Sequence, residues 1–231
     1  MIYGTKYARD SVTGAVLIDE AQGRPFVLPE SQIIGDPAPD FTLGISNSLS
    51  FKGITLGFLI DWRQGGDMYS VTAASLLLRG QLNNKYGVDR EGIRIIPGVY
   101  GDPQTYLAIL DDKGKPIQNT TGISAFDAHF TDGFGAYGAD ETNVYDVTTI
   151  RLREVTLGYE IPKSLLKKTF FGSARISASG RNLWFKAPNM LEALNFDPEV
   201  LAGASTSNVQ GFDFGASPST RRYGINLSLT F

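Results

Sequence analysis

Three groups of side chains in this sequence could do chemistry. His129, in FDAHFTDG, is the single histidine. Asp111-Asp112 and Asp140-Glu141 are adjacent carboxylates, the pairing that divides acid and base work in glycoside hydrolysis. A Ser–His–Asp relay needs a nucleophile and a base within hydrogen-bond reach, and no nucleophile motif accompanies His129. Where Gly and Asp are as dense as here, neighbouring carboxylates read as turn formers that bond their own backbone, and a lone loop histidine reads as solvated. The absence of cysteine removes thiol nucleophiles, Cys-metal sites and disulfides. No phosphate loop, dinucleotide fingerprint or zinc spacing is present. The expectation is a protein that is not an enzyme, with no catalytic residue, cofactor or metal site.

A further group is aromatic. Tyr100, Tyr106, Phe126, Phe130, Phe134 and Tyr137 fall in Gly- and Asp-rich text. They could stack on sugars or meet a partner protein, and ordinary packing of a long loop accounts for them equally well. Charge adds no partner. The net charge of -3 carries no basic run, which argues against nucleic-acid binding. The opening MIYGTKYARD has no leader-like pattern, and no window approaches 18 uninterrupted apolar residues.

The elements that would position these groups are strands. In DFTLGISNSLSF (40–51), Phe41, Leu43, Ile45, Leu49 and Phe51 share one phase, opposite Thr42, Gly44, Ser46, Ser48 and Ser50. In ITLGFLIDW (54–62), Ile54, Leu56, Phe58, Ile60 and Trp62 alternate with Thr55, Gly57, Leu59 and Asp61. The two runs read as a hairpin turning near Phe51–Gly53. Alternation returns over 147–160, where Val155, Leu157 and Tyr159 face Glu154, Thr156, Gly158 and Glu160, and where Arg151 and Arg153 blur the upper phase. It resumes over 173–184 and again over 221–231, where Tyr223, Ile225, Leu227, Leu229 and Phe231 share one side. Between the runs lie long loops, 63–146 and 186–220, the first with a short helix over Ser70–Arg79. The fold class expected is all-β, five antiparallel strands with connections alternating short and long.

Period two has two explanations. A soluble sandwich packs one face on a core and wets the other; an outer-membrane barrel sets the apolar face against lipid and the small polar face toward its lumen. Runs of about 9–11 residues match a tilted membrane strand. Aromatics stand at the run ends, at Phe41, Phe51, Trp62, Tyr159, Trp184, Tyr223 and Phe231, where interface girdles belong. The opposite phase offers few large aliphatics for a soluble core. The alternative is a self-contained soluble β-domain that binds carbohydrate through its loops. A row such as Leu56/Phe58/Ile60 would then aggregate without detergent. A hydrolase would require turnover that falls on replacing His129 or a named carboxylate.

The ordered motifs IIGDPAPDFTLGISNSLSFKGITLGFLIDWRQGGDMYS, VYDVTTIRLREVTLGYEIPKSLL, ISASGRNLWF, NFDPEV and PSTRRYGINLSLTF resemble the C-terminal part of SusC/RagA-type TonB-dependent transporters of the Bacteroidota outer membrane. That resemblance implies the last five strands of a 22-strand barrel, a transmembrane segment with long extracellular loops at 63–146 and 186–220. It implies import of oligosaccharides or peptides, a SusD-like surface lipoprotein as lid, outer-membrane lipid around the wall, and TonB acting through an N-terminal plug and contact segment. None of those upstream parts is in the sequence. Five strands close no such barrel, so the chain is expected to be a piece that transports nothing alone.

The resemblance also implies roles for residues. Gly65 and Gly66 match the segment after the second strand. Arg153, Glu154, Gly158 and Pro162 match the strand leading to a periplasmic turn. Arg181 and Asn182 match the upward strand, and Asp197 and Pro198 match an extracellular loop. Phe231 matches the terminal aromatic that marks such barrels for assembly. These are expected to be structural: small residues for close strand packing, Pro for the turn, Arg and Asn for lumen hydrogen bonds. The acidic loop that often precedes the IGDP-like motif in the family has no counterpart in VLIDEAQGRPF, so no calcium is expected there.

Overall fold

The computed structural model describes residues 1–79, 81, 91–129, 138–191, 197–198, 210–215 and 219–231. The elements run β1 (Ile2–Gly4), β2 (Leu17–Asp19), β3 (Gln32–Gly35), β4 (Phe41–Phe51), β5 (Ile54–Gln64), β6 (Asp67–Ser70), α1 (Val71–Leu78), β7 (Ile93–Ile95), β8 (Val99–Gly101), β9 (Gly122–Ser124) and α2 (Ala125–His129). A 3-10 turn (Asp140–Asn143) leads into β10 (Val144–Asp146), β11 (Thr149–Glu160), α3 (Lys163–Leu166), β12 (Ser173–Lys186), β13 (Phe212–Asp213) and β14 (Arg222–Thr230).

The five long strands form one antiparallel sheet in the order β14-β12-β11-β5-β4. The hairpin between β4 and β5 turns on Lys52 and Gly53, with φ of 48° and 84°, the two positive values that a type I′ turn requires. Register puts like with like. Leu49 faces Leu56, which faces Leu157, and beside it Ala178 faces Ile225. On the other surface Ser48 faces Gly57, which faces Thr156, then Ser179 and Gly224. Among the described residues no second layer covers either surface, although the segment at Asp197 closes over Arg151 at the upper polar end. Leu43, Ile45, Leu49, Ile54, Leu56, Leu157, Ile176, Ile225 and Leu227 are all exposed, a contiguous apolar face far larger than a soluble monomer tolerates.

The blurred phase of the third run has a structural cause. Register slips between Leu152 and Glu154, so that Arg153 is an extra residue against β5. A bulge of this kind turns consecutive residues toward one face. Polar residues are therefore odd-numbered above it (Thr149, Arg151, Arg153) and even-numbered below it (Glu154, Thr156, Gly158).

The expectation that 63–146 is a loop needs correcting. This stretch, together with residues 1–39, builds a packed cap at the upper end of the sheet. Small sheets β10-β6-β13, β1-β3, β2-β8 and β7-β9 hold it. One apolar cluster gathers Ala8, Leu17 and Val99 with Phe26, Leu28 and Tyr106, and a second gathers Met68, Val147 and Met190. Ser70 caps α1 by accepting from the Ala73 amide at 3.0 Å, and its hydroxyl donates to buried Asp213 at 2.7 Å. The helix therefore starts where sequence places it. The cap strands are two to four residues long, too short to display a period.

Sheet and cap meet at Gly65-Gly66. Both have positive φ, 70° and 88°. A Cβ on Gly65 would stand 2.5 Å from Asp40 Oδ2, and one on Gly66 2.7 Å from the Arg63 guanidinium. The Gly65 amide donates to Thr148 Oγ1 at 2.9 Å, and the Val147 amide donates to the Gly66 carbonyl at 2.8 Å. Gly65→Ala and Gly66→Ala are each expected to cost about 1–2 kcal/mol from the left-handed backbone alone, with steric displacement added. Urea-unfolding midpoints check this, with Gly114→Ala as the control at a positive-φ turn where a Cβ meets nothing within 4 Å.

Candidate functional site

The polar face of the sheet is where the charged family motifs converge. Arg153 Nε donates to Asp61 on β5, and both side chains are part-exposed. Arg181 Nε donates to Glu154 Oε2 at 3.0 Å across β11 and β12. Above them Arg151 pairs with Asp197, each residue 5% exposed. Arg175 lies across Gly158, where a Cβ would come 2.7 Å from its guanidinium. The result is a charged band on a surface otherwise made mainly of Ser, Thr, Gly and Asn, with Leu59 the large aliphatic among them.

These pairs differ in weight. The Glu154–Arg181 pair is solvent-facing, worth about 0–1 kcal/mol. The Arg151–Asp197 pair is buried, so replacing one partner upsets the charge balance of a site away from water. It also ties the segment after β12 back onto β11. Pro198, buried, follows Asp197 directly.

The other motif residues take backbone roles. Asn182 has φ of 52°, which Asn tolerates better than most residues. Leu152 faces Trp184 while Glu154 faces Arg181, so Asn182 and Leu183 together oppose Arg153. The Asn182 side-chain Nδ2 donates to the Thr220 carbonyl at 3.3 Å. Pro162 begins the lower connection with φ of -55°, and its carbonyl accepts from the Leu165 amide at 2.9 Å. Phe231 is exposed, with its ring stacked on Phe170 at 5.7 Å and 5.6 Å from Phe171.

The aromatic candidates scatter. Tyr100 is buried at 7% exposure, and its hydroxyl accepts from the Thr120 amide at 3.0 Å and lies 3.0 Å from both Thr120 Oγ1 and Thr121 Oγ1. Its ring offers no stacking surface. Tyr106 meets Phe26 edge-on at 5.8 Å. Phe126 is half exposed on α2. Phe130, Phe134 and Tyr137 lie outside the described residues.

Three of the four carboxylates that invited a catalytic reading, Asp111, Asp140 and Glu141, are committed to structural hydrogen bonds. Asp140 Oδ2 accepts from the Thr5 amide at 2.8 Å and Thr5 Oγ1 at 2.9 Å, and Oδ1 accepts from the Tyr69 hydroxyl at 3.1 Å. Burial, and then the Asp140 charge, push the Tyr69 phenol above its ordinary range. Glu141 accepts from the Tyr7 amide at 3.0 Å and pairs with Arg9 at 3.1 Å. This acidic dipeptide staples the N-terminal segment to the cap. Asp111 accepts from the Lys113 and Lys115 amides at 2.9 Å, an Asx turn. His129 ends α2. Two partners escaped the sequence reading: Arg151, which blurred a phase without suggesting a pair, and Asp61, a lone acid in an apolar run, which was the signal for Arg153.

No family model matches the sequence. Two curated relatives do, both from Formosa agariphila. TonB-dependent receptor P3 is 25% identical across 96% of this chain and 19% of its own length. TonB-dependent receptor P26 is 24% identical across 100% of this chain and 20% of its own. The chain thus spans about a fifth of the relatives it matches. Among solved structures, the RagAB peptide importer superposes over the whole chain in its open-open state (TM-score 0.52, 22% of that chain) and closed-closed state (TM-score 0.53, 23%), at 18% identity. The fold is that of a segment of such a protein.

Asp197→Asn is expected to lower stability by about 3–5 kcal/mol, while Arg181→Gln costs less than about 1 kcal/mol. An Arg151→Met/Asp197→Leu double variant should recover most of the loss. Urea-unfolding midpoints of the four proteins test the ranking, and equal effects at the two pairs would contradict it.

Proposed function

We propose, from the premise that the chain is homologous along its length to TonB-dependent receptors, which are receptors and not enzymes, that it is an arc of the wall of an outer-membrane transporter of the SusC/RagA type, with the cap that covers that arc. The observation that carries this reading is the sheet itself: one layer, apolar on one surface and mostly small and polar on the other, with no second layer among the described residues and only the segment at Asp197 closing over its upper polar end. An 11-residue strand such as β4, at about 3.4 Å per residue and tilted by about 45°, covers about 25 Å, the height of a barrel's apolar band. Among the described residues β4 and β14 each pair on one side only. In lipid those edges must meet further strands, because no water satisfies them there.

On this reading the apolar face meets lipid and the charged band lines the lumen. The tight Lys52–Gly53 turn and the α3 connection lie at the periplasmic end, and the cap lies outside the cell. The cargo is an oligosaccharide or a peptide, and a SusD-like lipoprotein closes over the cap, where Phe126 offers an exposed contact. TonB acts through parts of the transporter beyond this sequence, and the arc alone moves nothing. The work is binding and passage.

Orientation is testable in living cells. A short epitope inserted at Gly114, on the open cap turn, is expected to be labelled by antibody on intact cells. The same epitope at Lys52–Gly53 should be labelled only after the outer membrane is permeabilised. Labelling of both on intact cells, or recovery of the protein without detergent, would overturn the reading.

A further inference from the structure

The lower end of the sheet carries a group of lysines beside its aromatic girdle. The connection from Ile161 to Gly172, IPKSLLKKTFFG, contains Lys163, Lys167 and Lys168 and no acidic residue. All three lysines are exposed, and among the described residues none of them is in an ion pair. The apolar residues between them are displayed rather than buried: Leu165 is 70% exposed and Phe170 74%.

Phe170 does not hang free. It lies 4.2 Å from Phe171 and stacks at an interplanar angle of 7° on Phe231. The Gly172 amide donates to the Thr230 carbonyl at 2.7 Å and brings the last strand against this turn. The neighbouring turn joins from the other side. The Glu160 amide donates to the Gly53 carbonyl at 2.8 Å, and Lys52 Nζ stands 5.2 Å over the ring of exposed Phe51. One end of the sheet thus presents an aromatic ledge flanked by four lysines, with Glu160 the one acidic side chain on the two turns and their flanking residues 51–54 and 160–172.

We infer that this ledge binds anionic phospholipid of the periplasmic leaflet, the rings seated at the acyl–headgroup boundary and the lysines on the phosphates. The inference rests on the proposed orientation. Two physical points select this occupant. Aromatic rings with an apolar body favour the interface, and exposed lysines beside them are attracted to an anionic surface within a Debye length. The stems of the lysines can lie along the ledge while their ammonium groups reach water and headgroup. A water-soluble protein partner would leave unexplained why the lysines flank rings at the edge of the lipid-facing surface, level with Phe51 and Tyr159.

The test uses the native protein, purified from its membrane with every strand it is made with. Its melting temperature is followed on adding phosphatidylglycerol or phosphatidylethanolamine micelles, for the natural protein and for Lys163→Gln/Lys167→Gln/Lys168→Gln. The expected result is a rise with phosphatidylglycerol that exceeds the rise with phosphatidylethanolamine. Half-saturation should move about tenfold higher in the triple variant, and the preference should fade in 0.5 M salt. Lys113→Gln/Lys115→Gln, on the cap, should behave as the natural protein. Equal responses to the two lipids, or an undiminished preference in the triple variant, overturn the inference. Should the triple variant assemble poorly, Phe170→Ser, which keeps the charges, provides the second arm: weakened binding supports the ledge and unchanged binding overturns it. A protein that needs no detergent at all fails the barrel reading instead, which keeps the two failures apart.

Discussion

Everything in this molecule depends on a sheet that has one layer. Its two surfaces differ in kind, because alternate residues of five strands were apportioned between apolar side chains and Ser, Thr, Gly and charged pairs. A soluble protein would use such a sheet by laying a second layer on the apolar side. Here, among the described residues, the apolar side stays bare while the hydrophobic core forms elsewhere, in the cap around Leu17, Val99 and Met68. The separation fits a solvent change along the molecule: lipid around the sheet, water around the cap.

The junction between those two environments is made by specific devices. Gly65-Gly66 lets β5 leave the sheet sharply, Arg151–Asp197 ties a distant segment to β11, and the bulge at Arg153 turns three charges inward. Each would be a defect in a regular strand. Together they gather most of the charged side chains on the upper half of the polar surface, while the lower half is mainly Ser, Thr and Gly with Arg175 and Glu160 opposite each other at its end. In the cap, Asp140 and Glu141 perform the equivalent task by fixing residues 5–9. A carboxylate pair with its oxygens committed to backbone amides, Thr5, Tyr69 and Arg9 is poorly placed for acid–base chemistry.

Legibility in the sequence followed periodicity. The five long strands coincide with the alternating runs because each has nine or more residues over which period two can be read, and the short turn at Lys52–Gly53 follows from two residues with positive φ. The helix at Val71 was legible through Ser70. The cap was not, because strands of two to four residues carry no period and the cap is assembled from segments more than a hundred residues apart, such as Met68 and Met190 in its core and Thr5 and Asp140 in its hydrogen bonds. At the site, Glu154 and Arg181 were readable as motif members, but their pairing needed the register slip at Arg153. Tyr100 misled, since an aromatic in Gly-rich text looks like a surface contact until its threonine partners are seen.

The central claim is that the apolar face touches lipid, and the two tryptophans test it most directly. Trp62 and Trp184 are the only tryptophans in the sequence, both stand on the apolar face at its upper end, and both are exposed. The measurement is quenching of their fluorescence in bilayers by brominated phospholipids and by aqueous acrylamide, with Trp62→Phe and Trp184→Phe proteins to isolate each signal. Strong quenching by bromines placed near the headgroups, with little by acrylamide, is the predicted result. Quenching by acrylamide alone would put this face in water and contradict the account.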